Sequence, residues 1–217
     1  MSVPLEELVR AIDEAKRLAK PRRFTQSVEL IIKLRDVDVR KPENRINISV
    51  RLPHPPKEKP SKVCVIADGD MAVRAKRTDA DAVITREELE RIAASKREPR
   101  KLAKSYDFFI AEASLMPTIG RLLGRYLGPR GKMPQPVPPT VDIEGLVRRF
   151  KESVRVRLRD QPQIMCRIGL ESQDSKELAE NALAVVSAIG TKFRVPQNIE
   201  RMYVKLTMGP AVEVKFR

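Results

Sequence analysis

The stretch PHPPKEKPSKVCVIA, Pro53 to Ala67, decides how the chain is read. Its first ten residues, Pro53 to Lys62, hold four prolines and three lysines. Proline fixes φ and removes a backbone donor, and charged side chains resist burial, so this segment reads as an exposed connector of the kind that separates domains. On its far side Val63 to Ala67 is continuously apolar, as a strand covered on both faces would be. On its near side Val28, Leu30, Ile32 and Leu34 alternate with Glu29, Lys33 and Arg35. After a KPEN turn, Ile46, Ile48, Val50 and Leu52 alternate with Asn47, Ser49 and Arg51. Such alternation predicts two strands of one sheet, each apolar on one face. Before them, residues 4–20 place Leu5, Leu8, Val9, Ile12, Ala15 and Leu18 at helical spacing, with Ser2 as the cap and Glu6 and Glu7 in the first turn.

Beyond the connector the rhythm is strand and helix. Val63 to Ala67 leads through a turn at Gly69 into a helix over residues 70–77, followed by a strand at 82–85, a helical stretch over 87–104, a strand at 107–113 and a helix over 143–153. Short apolar strands alternating with helices imply a parallel sheet covered on both sides. After Ser153 the earlier style returns. Val154, Val156 and Leu158 alternate with Arg155, Arg157 and Arg159, a second strand covers residues 164–170, and an amphipathic helix begins at Ser175. RMYVKLT and AVEVKF then form two closing strands. The expected fold class is therefore α/β in two domains: a discontinuous α+β domain of residues 1–60 and 154–217, interrupted by an inserted α/β domain of residues 61–153. The two connections between them would act as a hinge.

The chain has 217 residues and a net charge of +14, with 43 Lys and Arg against 29 Asp and Glu. That excess points to a polyanionic partner, and the interspersed acids point to a folded protein with basic faces. Aromatics make up 4% with no Trp, which favours phosphate, sugar and shape contacts over base stacking. No apolar run approaches the length of a membrane span, and the N-terminus lacks a signal-peptide pattern, so a cytoplasmic protein without a membrane partner is expected. Cys64 and Cys166 sit in separate hydrophobic runs without CxxC spacing, and His54 is the single histidine. Both thiols read as small buried hydrophobes, and neither a metal site nor a cofactor is expected.

Leu115 to Pro139, LMPTIGRLLGRYLGPRGKMPQPVPP, is the most basic feature of the middle. It carries four glycines, six prolines and the cations Arg121, Arg125, Arg130 and Lys132, with no acid between Glu112 and Asp142. It reads as a shaped, exposed loop outside the core, entered by a helical turn or two around Ile119, Leu122 and Leu123, and serving either an anionic partner or a solvated connection. The catalytic readings are weak. Gly69 follows a strand and opens a helix but lacks the companion glycines of a dinucleotide loop. Gly131-Lys132 has Met133 where a P-loop needs Ser or Thr, and Tyr126 where its first glycine belongs. No nucleophile, base and orienting group assemble, so no catalytic residue is assigned. The alternatives to a specific binder are an RNA-processing or nucleotide-using enzyme and a general nucleic-acid coat.

Arg155, Arg157 and Arg159 leave one side of a strand about 6–7 Å apart, near the phosphate repeat of a nucleic acid, or else line an ordinary solvent face. Their company favours RNA. Arg22-Arg23-Phe24 and Thr25-Gln26-Ser27 enter one strand and Thr207-Met208-Gly209-Pro210 ends another, offering hydroxyls and amides for sugar hydroxyls and phosphates.

The segments RFTQSVEL, IGRLLGRYLGPRGKMPQP and YVKLTMGPAV resemble the L-one family of large-subunit ribosomal proteins, and KPENRI and VPQNIERMYVKLTMGPAVEVK resemble its archaeal branch. The likeness spans essentially the whole chain. It implies an RRM-like α+β sandwich from both termini with a Rossmann-like insert, and a non-enzymatic protein, monomeric when free, on the mobile ribosomal stalk. Its implied partners are the ribosome, large-subunit rRNA, exit-site tRNA and the leader of its own mRNA, whose translation it would repress. The RNA-binding residues implied are Phe24, Ser27, Glu29, Thr207, Met208 and Gly209, with Arg23, Arg159 and Gln161 beside them. Arg121, Arg125, Arg130 and Lys132 would make a secondary contact to tRNA or other RNA.

Overall fold

A computed structural model describes residues 3–195 and 197–216. In chain order its elements are α1 (Leu5–Leu18), β1 (Ser27–Leu34), β2 (Ile46–Arg51), β3 (Val63–Ile66), α2 (Gly69–Lys76), β4 (Ala82–Ile84), α3 (Arg86–Ala94), α4 (Glu98–Ser105), β5 (Phe108–Glu112), α5 (Met116–Leu127), β6 (Gln135–Val137), α6 (Ile143–Lys151), β7 (Ser153–Leu158), β8 (Gln163–Leu170), α7 (Ser175–Gly190), β9 (Ile199–Leu206) and β10 (Ala211–Glu213). They fall into two compact units, Met1–Lys59 with Ser153–Arg217, and Pro60–Glu152. The architecture is mixed α/β, with antiparallel ladders in the first unit and a parallel sheet in the second.

In the split unit the strand order is β10-β9-β1-β8, all antiparallel. Period-two alternation turns Val28, Leu30, Ile32 and Leu34 of β1 inward, into one core with Leu8, Ile12 and Ala15 of α1 and Leu178, Ala182, Val185 and Ile189 of α7. Ser27, Glu29, Ile31 and Lys33 are left on the other face. β2 does not join this sheet, contrary to expectation. β8 and β9 occupy both edges of β1, and a strand has only two, so β2 pairs with β7 instead, Ile46 opposite Leu158 and Val50 opposite Val154. Ile48 is exposed in that ladder. α1 begins after Pro4 with no side-chain cap; Ser2, the expected cap, lies outside the described residues.

In the other unit the order is β4-β3-β5-β6, all parallel. Val63, Val65, Phe108 and Ile110 face Met71 and Ala75 of α2 and Val147 and Phe150 of α6. Cys64, Ile66, Phe109 and Ala111 face the opposite way, toward Leu89 of α3, Ala103 of α4 and Ile119, Leu123 and Leu127 of α5. Cys166 is buried in the first unit, where desolvation pushes its thiol up to about 12, and burial likewise raises the Cys64 thiol.

Two stretches differ from the sequence reading. The helical run over 87–104 is two helices. Thr85 and Glu88 form a capping box that starts α3, which stops at Ser95, and Pro99 occupies the first turn of α4, where its missing N–H breaks no helical bond. Leu115 to Pro139 is not a loop outside the core. Most of its first half is α5, which buries Ile119, Leu123, Tyr126 and Leu127, and its end contains β6. The glycines obscured the helix: Gly120 and Gly124 lie on its accessible side, with open space where a Cβ would stand. Pro136 masked the strand. It is tolerated because β6 is the sheet edge, where one side of the backbone needs no ladder partner.

Candidate nucleic-acid interface

Ser27 and Thr207 stand 180 positions apart and meet where β1 starts and β9 ends. Thr207 N–H donates to Ser27 O at 3.0 Å, and Ser27 N–H donates to Thr207 Oγ1 at 3.2 Å. Thr207 Oγ1 lies 3.3 Å from Ser27 O and 3.5 Å from Glu29 Oε1, and has one proton for the two. The Glu29 carboxylate therefore keeps acceptor capacity. Beside it, Lys205 Nζ stands 3.8 Å from Glu29 Oε2 and donates to Thr207 O at 2.9 Å. Arg167 of β8 is its cross-strand neighbour on the other side. A carboxylate flanked by two cations can sit near phosphates with reduced repulsion and still accept from a ribose hydroxyl or a base amino group.

Gln26 organises the neighbouring backbone. It is 1% exposed; its Oε1 accepts Met208 N–H at 3.1 Å, its own N–H donates to Glu171 Oε1 at 2.7 Å, and its Nε2 reaches Lys20 O and Glu171 Oε2, each at 3.3 Å. The turn after β9 is thus tied to the entry of β1 and the exit of β8. Met208 and Phe24 remain 57% and 52% exposed, apolar surfaces of the kind a base or ribose covers. Arg23 is exposed beside Phe24. Gly209 has an intramolecular reason to be glycine: a Cβ there would lie 3.3 Å from Leu206 Cβ and 3.4 Å from Ala19 Cβ.

Arg23, Phe24, Ser27, Glu29, Thr207, Met208 and Gly209 are thus gathered at one end of the sheet. Arg159 and Gln161 are not. They occupy the β7–β8 turn, whose Pro162 O accepts from Leu34 N–H at the far end of β1, about 23 Å along the strand from Ser27. Arg159 stands 3.3 Å from Asp160. The stripe it heads is also less open than the alternation suggested, because Arg155 and Arg157 are half-buried and Arg155 donates to Asn47 Oδ1 at 3.2 Å.

In the second unit Arg121 and Arg125 are exposed on α5, with Arg125 over the Tyr126 ring at 4.8 Å. Arg130 Nη1 donates to Tyr126 O at 2.8 Å. Lys132 points inward: its Nζ donates to Ala103 O at 3.1 Å and Tyr106 O at 2.5 Å, capping the C-terminal carbonyls of α4. That ammonium is a structural tie. Lys132→Met is expected to destabilise the unit by about 1–3 kcal/mol, read by denaturant unfolding, because two charge-assisted bonds to a part-buried helix end are lost. The Gly69 turn is filled by carboxylates. Asp68 accepts Gly69 N–H at 3.0 Å and Asp68 N–H donates to Glu112 Oε2 at 3.2 Å, so acids occupy the place a nucleotide phosphate would take.

The sequence model of the Ribosomal protein L1p/L10e family matches residues 14–210. The chain belongs to that family. It is a family of ribosomal proteins and not of enzymes. The chain is 58% identical over 195 residues to the large ribosomal subunit protein uL1 of Thermofilum pendens, covering 90% of this chain and 86% of that one. It is 54% identical to the uL1 protein of Pyrobaculum neutrophilum, over 97% of this chain and 94% of that one. The uL1 protein of Thermococcus kodakarensis is 52% identical, over 99% of this chain and the whole of that relative. Residues 14–210 take in both ends of the cluster, Phe24 to Glu29 and Thr207 to Gly209. Sequence reasoning missed the side chains that hold this L1-family cluster in place: Gln26, Glu171 and Lys205. A glutamine inside the motif Thr25-Gln26-Ser27 was visible, but its acceptor on Met208 and donor on Glu171 exist only once three segments meet.

Proposed function

We propose that this chain is a protein of the large ribosomal subunit that binds the stalk region of large-subunit rRNA through Phe24, Ser27, Glu29, Thr207, Met208 and Gly209, with Arg23 beside them. The observation that carries this reading is the bonding of Thr207 to Ser27 and Glu29, which assembles hydroxyls, a carboxylate paired with Lys205 and two exposed apolar groups from both ends of the chain. Such a set reads ribose edges and base amino groups, while the surrounding cations supply phosphate attraction. The split unit carries +9 (25 basic and 16 acidic residues over 1–60 and 154–217), against +5 over 61–153 (18 and 13). The larger excess accompanies the rRNA site. The inserted unit meets exit-site tRNA through Arg121, Arg125 and Arg130, and the chain represses its own mRNA by binding a leader that imitates the rRNA site. It works in the cytoplasm, on the ribosome, and is a monomer when free.

Titration onto a stalk rRNA fragment and an unrelated hairpin, over about 50–200 mM salt, tests the reading. The stalk fragment should bind at least about 100-fold more tightly, with the difference surviving at the upper salt, because phosphate attraction alone ignores sequence. Equal affinities throughout would leave only a general nucleic-acid coat.

A further inference from the structure

Helices α4 and α5 present their cations differently from four other helices. In α1, α2, α3 and α6 an acid stands three or four residues from an arginine: Glu7 with Arg10, Asp70 with Arg74, Glu90 with Arg86, and Glu152 with Arg148. α4 has one acid, Glu98 in its first turn, and beyond it exposes Arg100, Lys101 and Lys104, with like charges at i,i+3 and i,i+4, a spacing that opposes helix formation. Beside it lies a shallow depression of ≈ 520 Å³, lined by those three cations together with Ser105 and Arg130. No carboxylate is among its lining residues. Its two walls are fixed to each other, since Arg130 is held by Tyr126 O, and Lys132, two residues on, is bonded to the end of α4. The cations are therefore presented on a built concave surface.

We infer that this depression, made by α4 and the turn after α5, seats the phosphate backbone of a folded RNA through Arg100, Lys101, Lys104 and Arg130. Four cations gathered around a depression whose lining holds no carboxylate are stabilised by an anion that brings several charges at once. The lining offers no aromatic face for a base, so the contact is to phosphates and carries no sequence preference. The inference rests on the proposal that this unit meets RNA and moves the centre of that contact from α5 toward α4.

The test uses the full chain saturated with the stalk rRNA fragment, titrated with a labelled tRNA transcript at about 50, 100 and 200 mM salt. Arg100→Gln with Lys101→Gln and Lys104→Gln should weaken this second binding at least about tenfold at the lowest salt and flatten its salt slope by about 2–3, while stalk-fragment affinity stays within about twofold. Circular dichroism and the unfolding midpoint of the triple variant identify any loss of fold. If that variant binds the transcript like the parent while Arg121→Gln with Arg125→Gln abolishes binding, the α4 site is wrong and the broader RNA contact stands. If the parent complex takes up no transcript, both fail. Polyglutamate displacing the transcript at equal charge concentration would overturn the assignment to RNA.

Discussion

Thr207→Val is expected to weaken binding of the stalk rRNA fragment by about 10- to 100-fold, the loss of one or two hydrogen bonds in a desolvated interface. Valine matches threonine in shape, and Thr207 N–H keeps its 3.0 Å bond to Ser27 O, so the end of β9 stays in register. What disappears is the hydroxyl that accepts from Ser27 N–H and whose single proton is shared between Ser27 O and Glu29. Because Thr207 is exposed, water replaces these bonds in the free protein, and stability should change by less than about 1 kcal/mol. Filter binding at fixed salt against the unrelated hairpin separates the effects: affinity for the stalk fragment should fall and affinity for the hairpin should not. Parental affinity for the stalk fragment would mean that the Ser27–Thr207 cluster is scaffold and that the RNA lies elsewhere.

The largest stability effect should come from Asn181, a fully buried amide on α7. Its Nδ2 donates to His54 O at 2.7 Å and Ile168 O at 2.8 Å, and its Oδ1 accepts His54 N–H at 2.9 Å. One side chain thus clamps the proline-rich segment onto β8 and α7. Asn181→Ala leaves His54 N–H without this acceptor, removes a donor from Ile168 O and opens a gap in the core. His54 O retains a partner in Gln173 Nε2 at 3.0 Å. The expected cost is about 3 kcal/mol, a drop in Tm of roughly 6–12 °C for the split unit. His54→Ala preserves every one of these backbone bonds, losing chiefly the 2.6 Å contact of Nε2 with Glu180, and should cost much less. Calorimetric unfolding of both variants decides the matter; a loss below about 1 kcal/mol in Asn181→Ala would show that the segment is held by other means.

The sequence was most legible where one periodic signal had one explanation. Alternation in β1, continuous apolarity in β3 and β5, and the stripe of α7 each turned the expected side chains inward. It was least legible where local chemistry and packing disagree. Glycine and proline in Leu115 to Pro139 signalled a loop, yet Leu115, Ile119, Leu123 and Leu127 fill the face of the parallel sheet that carries Phe109, and the burial outweighs the low helix propensity of Gly120 and Gly124. Lys132 looked like an RNA contact for the same reason that it makes a good helix cap: an ammonium on a long stem serves either anions or carbonyls.

By itself the sequence determined the alternating and continuous strand types, the basic balance and the two short motifs around Phe24 and Thr207, because each depends on residues adjacent along the chain. Tertiary structure alone decided that β2 turns to β7, that Gln26 braces Met208, that Arg159 and Gln161 stand at the wrong end of β1 for the cluster, and that Arg130 comes to the side of α4. Each of these depends on which edges and donors remain unoccupied after the core has closed, and no local spacing along the chain encodes that.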